Sequence, residues 1–221
     1  GGSNTVARSP LYSGIQEGTD YAAYLQLEKA WSRMAVSGGA GYEQFMLNER
    51  AEGKPVCRAG LNYKVASYTF LRASFGQGYR FPSIAESYIT TTVGPVSIFP
   101  NDQLVPETGT NLEVGIKQGF KLGSLNLMAD AAVFQMTFDN MMEFTFGQWG
   151  AVAPPLYGAG FKTLNTGRAS VTGAEVNLSF QQKTKNLEIQ GFAGYTYAKS
   201  LALEPNQVIA ADNSNKQLTY I

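Results

Sequence analysis

Asn111-Leu112-Glu113-Val114-Gly115-Ile116-Lys117-Gln118-Gly119-Phe120-Lys121-Leu122-Gly123-Ser124-Leu125-Asn126-Leu127-Met128-Ala129-Asp130-Ala131-Ala132-Val133 reads as two strands joined by a short turn. Leu112, Val114, Ile116 and Phe120 occupy one parity, and Asn111, Glu113, Gly115 and Lys117 the other. Beyond the turn at Lys121-Leu122-Gly123, Leu125, Leu127, Ala129, Ala131 and Val133 share a face against Asn126, Met128, Asp130 and Ala132. Successive side chains of a strand point to opposite faces, so a period of two places one face in an apolar medium and the other in a polar one.

The same period runs outward in both directions. Residues 21–29 set Tyr21, Ala23, Leu25 and Leu27 opposite Ala22, Tyr24, Gln26 and Glu28. Residues 67–79 set Leu71, Ala73 and Phe75 opposite Arg72, Ser74 and Gly76, and toward the end Leu187, Ile189, Ala193, Tyr195 and Tyr197 alternate with Glu188, Gln190, Gly194 and Thr196. About nine such segments are present, many of about 10–13 residues, against about five or six for an ordinary globular strand. A tilted strand needs about nine to eleven residues to cross a hydrocarbon core.

Short turns (121–123 and 183–186) alternate with long connections near 80–106, 146–166 and 199–216, which are read as irregular. Short turns at one end and long loops at the other are the asymmetry of an outer-membrane barrel. Tyr42, Phe45, Tyr68, Phe144, Phe146, Tyr195 and Tyr197 fall near strand ends, where interfacial girdles belong. Helical periodicity is confined to one short turn after Pro82, over 83–88. The alternative on pattern alone is a soluble β-sandwich with one wet face.

Composition narrows the function classes. Lys+Arg and Asp+Glu both number 17, which removes the electrostatic argument for nucleic-acid binding. Charged residues are 15% of the 221, against roughly 25% in a typical soluble domain. The absence of histidine excludes a Ser-His-Asp or Cys-His site and any His-ligated metal. The single Cys57 has no partner for an internal disulfide and reads as a strand residue. No run of about 18 apolar residues forms a membrane-spanning helix, and no signal-peptide pattern opens the chain. No carboxylate pair with glycosidase-like spacing is legible, so no enzyme is read here.

The stretch Leu71-Arg72-Ala73-Ser74-Phe75-Gly76-Gln77-Gly78-Tyr79-Arg80-Phe81-Pro82-Ser83-Ile84-Ala85-Glu86 resembles a hallmark of TonB-dependent outer-membrane receptors, in which a barrel strand leads into an outer loop. Pro100-Asn101-Asp102-Gln103-Leu104-Val105-Pro106-Glu107-Thr108 is similar to that family's NPxLxPE segment, and Asn111-Leu112-Glu113-Val114-Gly115-Ile116-Lys117 to its NxEVGxK strand. Ala131-Ala132-Val133-Phe134, followed by Asp139-Asn140-Met141-Met142, resembles its AxFY strand and the step after it. Asn165-Thr166-Gly167-Arg168-Ala169 to Gly173-Ala174-Glu175 resembles its NxGxAxxxGxE turn and strand, and Ala193-Gly194-Tyr195-Thr196-Tyr197 its penultimate strand. Order and spacing hold over residues 67–198.

The resemblance implies an all-β fold: an antiparallel meander of long strands, part of a 22-stranded transmembrane β-barrel in the outer membrane of a Gram-negative bacterium. About nine of those strands are expected here, as a single partial barrel domain over 1–221. Neither a plug domain nor a TonB box is visible, and Leu218-Thr219-Tyr220-Ile221 resembles the start of a further strand. An open sheet with free edges is therefore expected.

The implied function is the barrel part of an active importer of a scarce nutrient. Its implied partners are TonB-ExbB-ExbD acting through the plug, outer-membrane lipid, and a small-molecule or glycan ligand. Haem receptors resemble the chain at 79–82 and 100–104 but place a histidine between those boxes, and this chain has none. Ferric siderophore, cobalamin and glycan stay open. A soluble β-sheet binding or adhesion module without transport is the alternative.

The motif residues have structural readings of their own. Gly76 and Gly78 are expected where the strand bends or a neighbour approaches closely, Pro82 where pairing ends, and Pro106 just before the next strand. Arg72, Arg80, Glu107, Glu113, Lys117 and Glu175 are expected on the lumen face or rim, paired with one another or with the plug. Tyr79, Asn101, Leu104 and Gly173 complete the motif set. Tyr88, Phe99, Trp149, Tyr157 and Phe161 are the loop aromatics that can stack on a sugar or chelate, or pack loop on loop.

Overall fold

The computed structural model describes residues 1–94, 96–151, 153 and 157–204. In chain order the elements are β1 (Gly2–Arg8), β2 (Ile15–Ala30), β3 (Met34–Leu47), β4 (Arg50–Ala66), β5 (Thr69–Arg80), α1 (Ile84–Tyr88), β6 (Thr91–Val93), β7 (Val96–Phe99), β8 (Glu107–Leu122), β9 (Leu125–Asp139), β10 (Met142–Gln148), β11 (Ala159–Asn165), β12 (Arg168–Lys183) and β13 (Glu188–Glu204). Nine of them form one antiparallel sheet in the order β1-β2-β3-β4-β5-β8-β9-β12-β13. Its two ends, β1 and β13, are not paired with each other, so the sheet is open.

Register turns the alternation of the sequence into continuous rows. Leu61, Ala73, Val114, Val133, Ala174 and Tyr197 are successive cross-strand partners, and so are Tyr63, Leu71, Ile116, Ala131, Val176 and Tyr195. Val133 lies on β9, with neighbours on both sides, yet is 59% exposed. Among the described residues the buried hydrophobics are Leu47, Leu104, Ala132 and Ala169 alone. A soluble domain of this length would bury roughly 70% of its surface around a core of large apolar side chains. Here most of the exposed large apolar side chains stand outward on one face instead, as in a sheet whose outer medium is hydrocarbon. Most strands of the large sheet exceed the expected length: β2, β8 and β12 have 16 residues and β4 and β13 have 17.

Connections at one end of the sheet are short: 31–33, 67–68, 123–124 and 184–187. Gly123, at φ 61°, takes the left-handed conformation that the tight β8–β9 turn needs. The other end carries the long connections 81–106 and 140–167 beside the tight β3–β4 turn, where Asn48 is left-handed at φ 55°.

These long connections differ from the sequence reading, which treats them as irregular. The first holds α1, β6 and β7, and the second holds β10 and β11; together they make a second, four-stranded sheet in the order β10-β11-β7-β6. Phe144 and Phe146, expected in an interfacial girdle, lie on β10 of this loop sheet; Phe144 stacks on Phe161 at 4.9 Å between ring centroids and Phe146 meets it edge-on at 5.1 Å. The third connection is strand as far as Glu204, and the remainder of 199–216, like 218–221, lies outside the described residues. The turn expected after Pro82 is α1, capped by Ser83 and Glu86 in a reciprocal capping box.

Pro55 interrupts no pairing despite its position inside β4. β4 and β5 pair only from Arg58↔Gly76 onward, so Arg50–Cys57 has no strand on that side. Cys57 N–H points into this gap and donates to Gln77 Oε1 at 3.1 Å. N–H groups two residues apart in a strand point the same way, so the N–H that proline lacks is one that β5 would not have received.

Candidate functional site

Two constellations gather the motif residues, one on the inner face of the sheet and one at the rim that carries the loops. The inner one centres on Arg72. Arg72, Gly115, Ala132 and Glu175 occupy one register row across β5, β8, β9 and β12. Gly115 contributes no side chain: a Cβ there would lie 2.8 Å from Arg72 Nε and 2.9 Å from the Ala131 carbonyl oxygen. The guanidinium therefore lies flat across β8. Its Nη1 donates to Asp130 Oδ2 at 2.8 Å, and Nη2 reaches Glu175 Oε1 at 3.5 Å. Nε lies 3.2 Å from Glu113 Oε1, an ion-pair distance although the N–H is not aimed as a hydrogen bond. Lys117 Nζ adds a second cation 3.7 Å from Asp130.

One row nearer the rim, Glu113, Phe134 and Gly173 are register partners. The Phe134 ring lies over Gly173, where a Cβ would collide with the ring and with the Tyr197 carbonyl oxygen. The glycine of the motif thus makes room for the aromatic of the neighbouring strand.

Toward the rim the inner wall thins. Gly76 and Gly78 were expected where the strand bends or a neighbour approaches closely; a Cβ at either would meet nothing within 4 Å, so no neighbour crowds them. They open a recess of about 430 Å³ bordered by Arg80, Glu107, Asn111, Met136 and Phe138. Tyr79 and Gln77 lie where β5 leaves β4, and Tyr79 packs edge-on to Phe81, which stacks on Phe45.

At the rim the motif from Asn101 to Glu107 docks the first long connection. Leu104 is 1% exposed and shares a small pocket with Phe45, Leu47, Phe81, Tyr88 and Pro106. Pro82, where pairing has ended, lines the same pocket. Asn101 Nδ2 donates to the Thr163 carbonyl at 2.8 Å, and Asn101 N–H donates to the Ser87 carbonyl at 2.8 Å. Arg80 donates to Glu86 at 2.7 Å and to Glu107 Oε2 at 3.2 Å, and Glu107 Oε2 also accepts from Met142 N–H at 3.3 Å. Partial burial works against ionisation of Glu86. Hydrogen bonds from the Ser83 backbone, Arg80 and the Ser83 hydroxyl outweigh it and hold the pKa below its ordinary value.

The loop aromatics separate by surroundings. Tyr88 packs in the Leu104 pocket. Phe99, on β7, lies against Gly150 and Gly160, and Trp149 lies over Gly147. Phe161 sits between Phe144 and Phe146. Tyr157 is left-handed at φ 50° and exposed, and its carbonyl accepts from Gln148. Among the described residues no group of three or more His, Cys, Asp or Glu side chains is placed to hold a metal ion.

The sequence reading did not single out Asn165, Thr163 and Ser87 at the rim. Asn165 stands in the quoted Asn165-Thr166-Gly167 stretch, where the glycine makes the asparagine look like an ordinary turn residue. The other two give no sequence signal.

The family model for the β-barrel of TonB-dependent receptor-like proteins matches residues 1–221. A comparison with curated protein sequences found no match. Among solved structures, the chain is similar to the copper transporter OprC, with a TM-score of 0.62, 21% identity and coverage of 84% of this chain and 30% of that one. It is also similar to the Serratia marcescens hemophore receptor HasR, solved with its hemophore HasA and heme, with a TM-score of 0.62, 13% identity and coverage of 86% and 41%. For the siderophore receptor PirA from Acinetobacter baumannii the TM-score is 0.60, the identity 15% and the coverage 87% and 32%. The chain thus spans less than half of each of these structures. Its sheet order, the alternation of its two faces and the match over the whole chain agree: the chain belongs to the TonB-dependent receptor family, as a stretch of its β-barrel.

Proposed function

We propose that these residues form part of the wall and rim of an active importer in the outer membrane of a Gram-negative bacterium. The observation that carries this reading is the division of one sheet into an outer apolar face and an inner face bearing Arg72, Glu113, Lys117, Asp130 and Glu175. Porin-type diffusion suffices for abundant small solutes, whereas a rare or bulky one needs capture at the outer face and energy for release inward. In this reading the inner-face charges border the plug, TonB-ExbB-ExbD acts on that plug, and the connections 81–106 and 140–167 contribute to selectivity.

Ferric siderophore, cobalamin or glycan is the proposed cargo class. Transporters of similar fold are named for copper, heme with its hemophore, and siderophores, which supports a metal chelate ahead of a sugar. Tyr157, exposed at the loop tip, and the Phe144–Phe161 stack offer flat apolar surface for such a cargo. The soluble-module alternative is disfavoured by the outward row from Leu61 to Tyr197, which water would meet directly.

The test is growth of a strain lacking the full-length protein on a panel of ferric siderophores, cyanocobalamin and oligosaccharides, each as the limiting nutrient. A defect on one class, reproduced by loss of TonB, is expected. Normal growth on every class, with the protein recovered in the soluble fraction, would overturn the reading.

A further inference from the structure

The connections 81–106 and 140–167 belong to different hairpins of the barrel sheet, yet they are joined at two levels. The first is backbone pairing: β11 runs parallel to β7, with Gly160↔Ser97, Phe161↔Ile98 and Lys162↔Phe99 as partners. Gly160 has no alternative there, since a Cβ would collide with the Ser97 carbonyl oxygen. The second level lies below the sheet, where the paired strands have ended, and it is made by side-chain amides, chiefly that of Asn165.

Asn165 Oδ1 accepts from Val105 N–H at 3.0 Å while its Nδ2 donates to the Val105 carbonyl at 3.0 Å. A carboxamide carries an acceptor and a donor in the same relation as a peptide group. The side chain therefore completes one more rung between β11 and the 100–106 segment, at a point where the latter is not strand. The second proton of Nδ2 goes to the Asn140 carbonyl at 2.7 Å, and Asn140 is itself left-handed at the exit of β9. One amide thus ties together the end of β11, the foot of the first connection and the β9–β10 turn. Asn101 returns the bond from the opposite side, donating to the Thr163 carbonyl.

We infer that Asn165 is a latch that makes the two connections one rigid body, so that displacement of either one moves both relative to the barrel. That these connections meet a cargo rests on the transport reading; that they move together does not. Aspartate at 165 offers acceptors only and sets a carboxylate against the Val105 and Asn140 carbonyls, so N165D breaks the latch with almost no change of volume.

The test is pulsed electron–electron distance measurement on the full-length protein that contains these residues, with Cys57→Ser and nitroxide labels in pairs. Thr92→Cys with Ala151→Cys spans the two connections, and each is also paired with Ser124→Cys in a short turn at the far end of the barrel sheet. Parent protein should give a narrow Thr92–Ala151 distribution. N165D, and separately N101A, should broaden it at least twofold while heat-modifiable migration of the barrel on gels is unchanged. An equally narrow distribution in both variants, or a parent protein in which the two connections move independently relative to position 124, would overturn the latch. A broadened distribution in a protein that imports nothing would support the latch and contradict the transport reading.

Discussion

Arg72 and Glu175 stand in one register row with β8 and β9 between them, and their side chains meet at 3.5 Å across Gly115 and Ala132. The contact exists because the intervening residues are small: Gly115 leaves the guanidinium a path, and Ala132 is buried in the row between. Four strands are thereby tied by a single cation on the face opposite the apolar belt.

Arg72→Met should lower stability more than Glu175→Gln. The first strands Glu113, Asp130 and Glu175 with only Lys117 nearby, whereas the second removes the longest of three contacts. Arg72 is about a third exposed, so its loss should cost about 1–3 kcal/mol, between the surface and buried ion-pair limits, and E175Q about 1 kcal/mol or less. Urea midpoints in detergent, followed by tryptophan fluorescence, give the order.

Gly115→Val should reproduce the Arg72→Met defect without altering a charge, because the added branch occupies the place of Nε. A loss of about 1–3 kcal/mol is expected for overpacking of this kind. The double variant should lose less than the sum of the two, since both act on one contact. A midpoint for G115V equal to that of the parent would show that the row relaxes freely.

The apolar belt and the wet face are legible in sequence because each long strand keeps its parity. Leu112, Val114 and Ile116 fall on one face and Glu113 and Lys117 on the other whatever the neighbours do, so the antiparallel meander follows. The loop sheet is a different matter. Thr91–Val93 and Val96–Phe99 are too short for a period to show, and the parallel pairing of β7 with β11 joins residues about sixty positions apart, which no local pattern records. Arg72, Glu113 and Glu175 are recognisable as charges of the inner face, but the convergence of Glu113, Asp130 and Glu175 on Arg72 depends on register across three strand pairs. The gap beside Pro55 is hidden for the same reason.

Leu104→Ala should release the first long connection without unfolding the barrel. Leu104 is the anchor of the 81–106 segment on β3, and removing its side chain should cost about 2–5 kcal/mol at that contact. Chymotrypsin should then cut within 81–106, after Tyr88, many times faster than in the parent, while the strands remain protected. Unchanged cleavage would mean that the polar bonds of Asn101 and Glu107 suffice to hold the segment.

Acid should loosen the same segment through Glu86. Its pKa is below the ordinary 4.5, so its contribution is complete above that value and is lost as pH falls through the lower, folded pKa. A carbon-13 titration of the Glu86 carboxyl should give a midpoint under 4.5, and Arg80→Met, which removes one of its donors, should move it upward. A midpoint at or above 4.5 in the parent would contradict the capping-box geometry.

In the proposed barrel one face of this sheet meets lipid and the other does not. Nitroxide labels placed singly at Ile116, Val133 and Val176, and at Glu113 and Asn177 on the opposite face, in Cys57→Ser full-length protein reconstituted in liposomes, test it directly. The first three should collide with dissolved oxygen and be shielded from a water-soluble nickel chelate, with the reverse balance at the other two. Equal access of the nickel chelate to both series would contradict it.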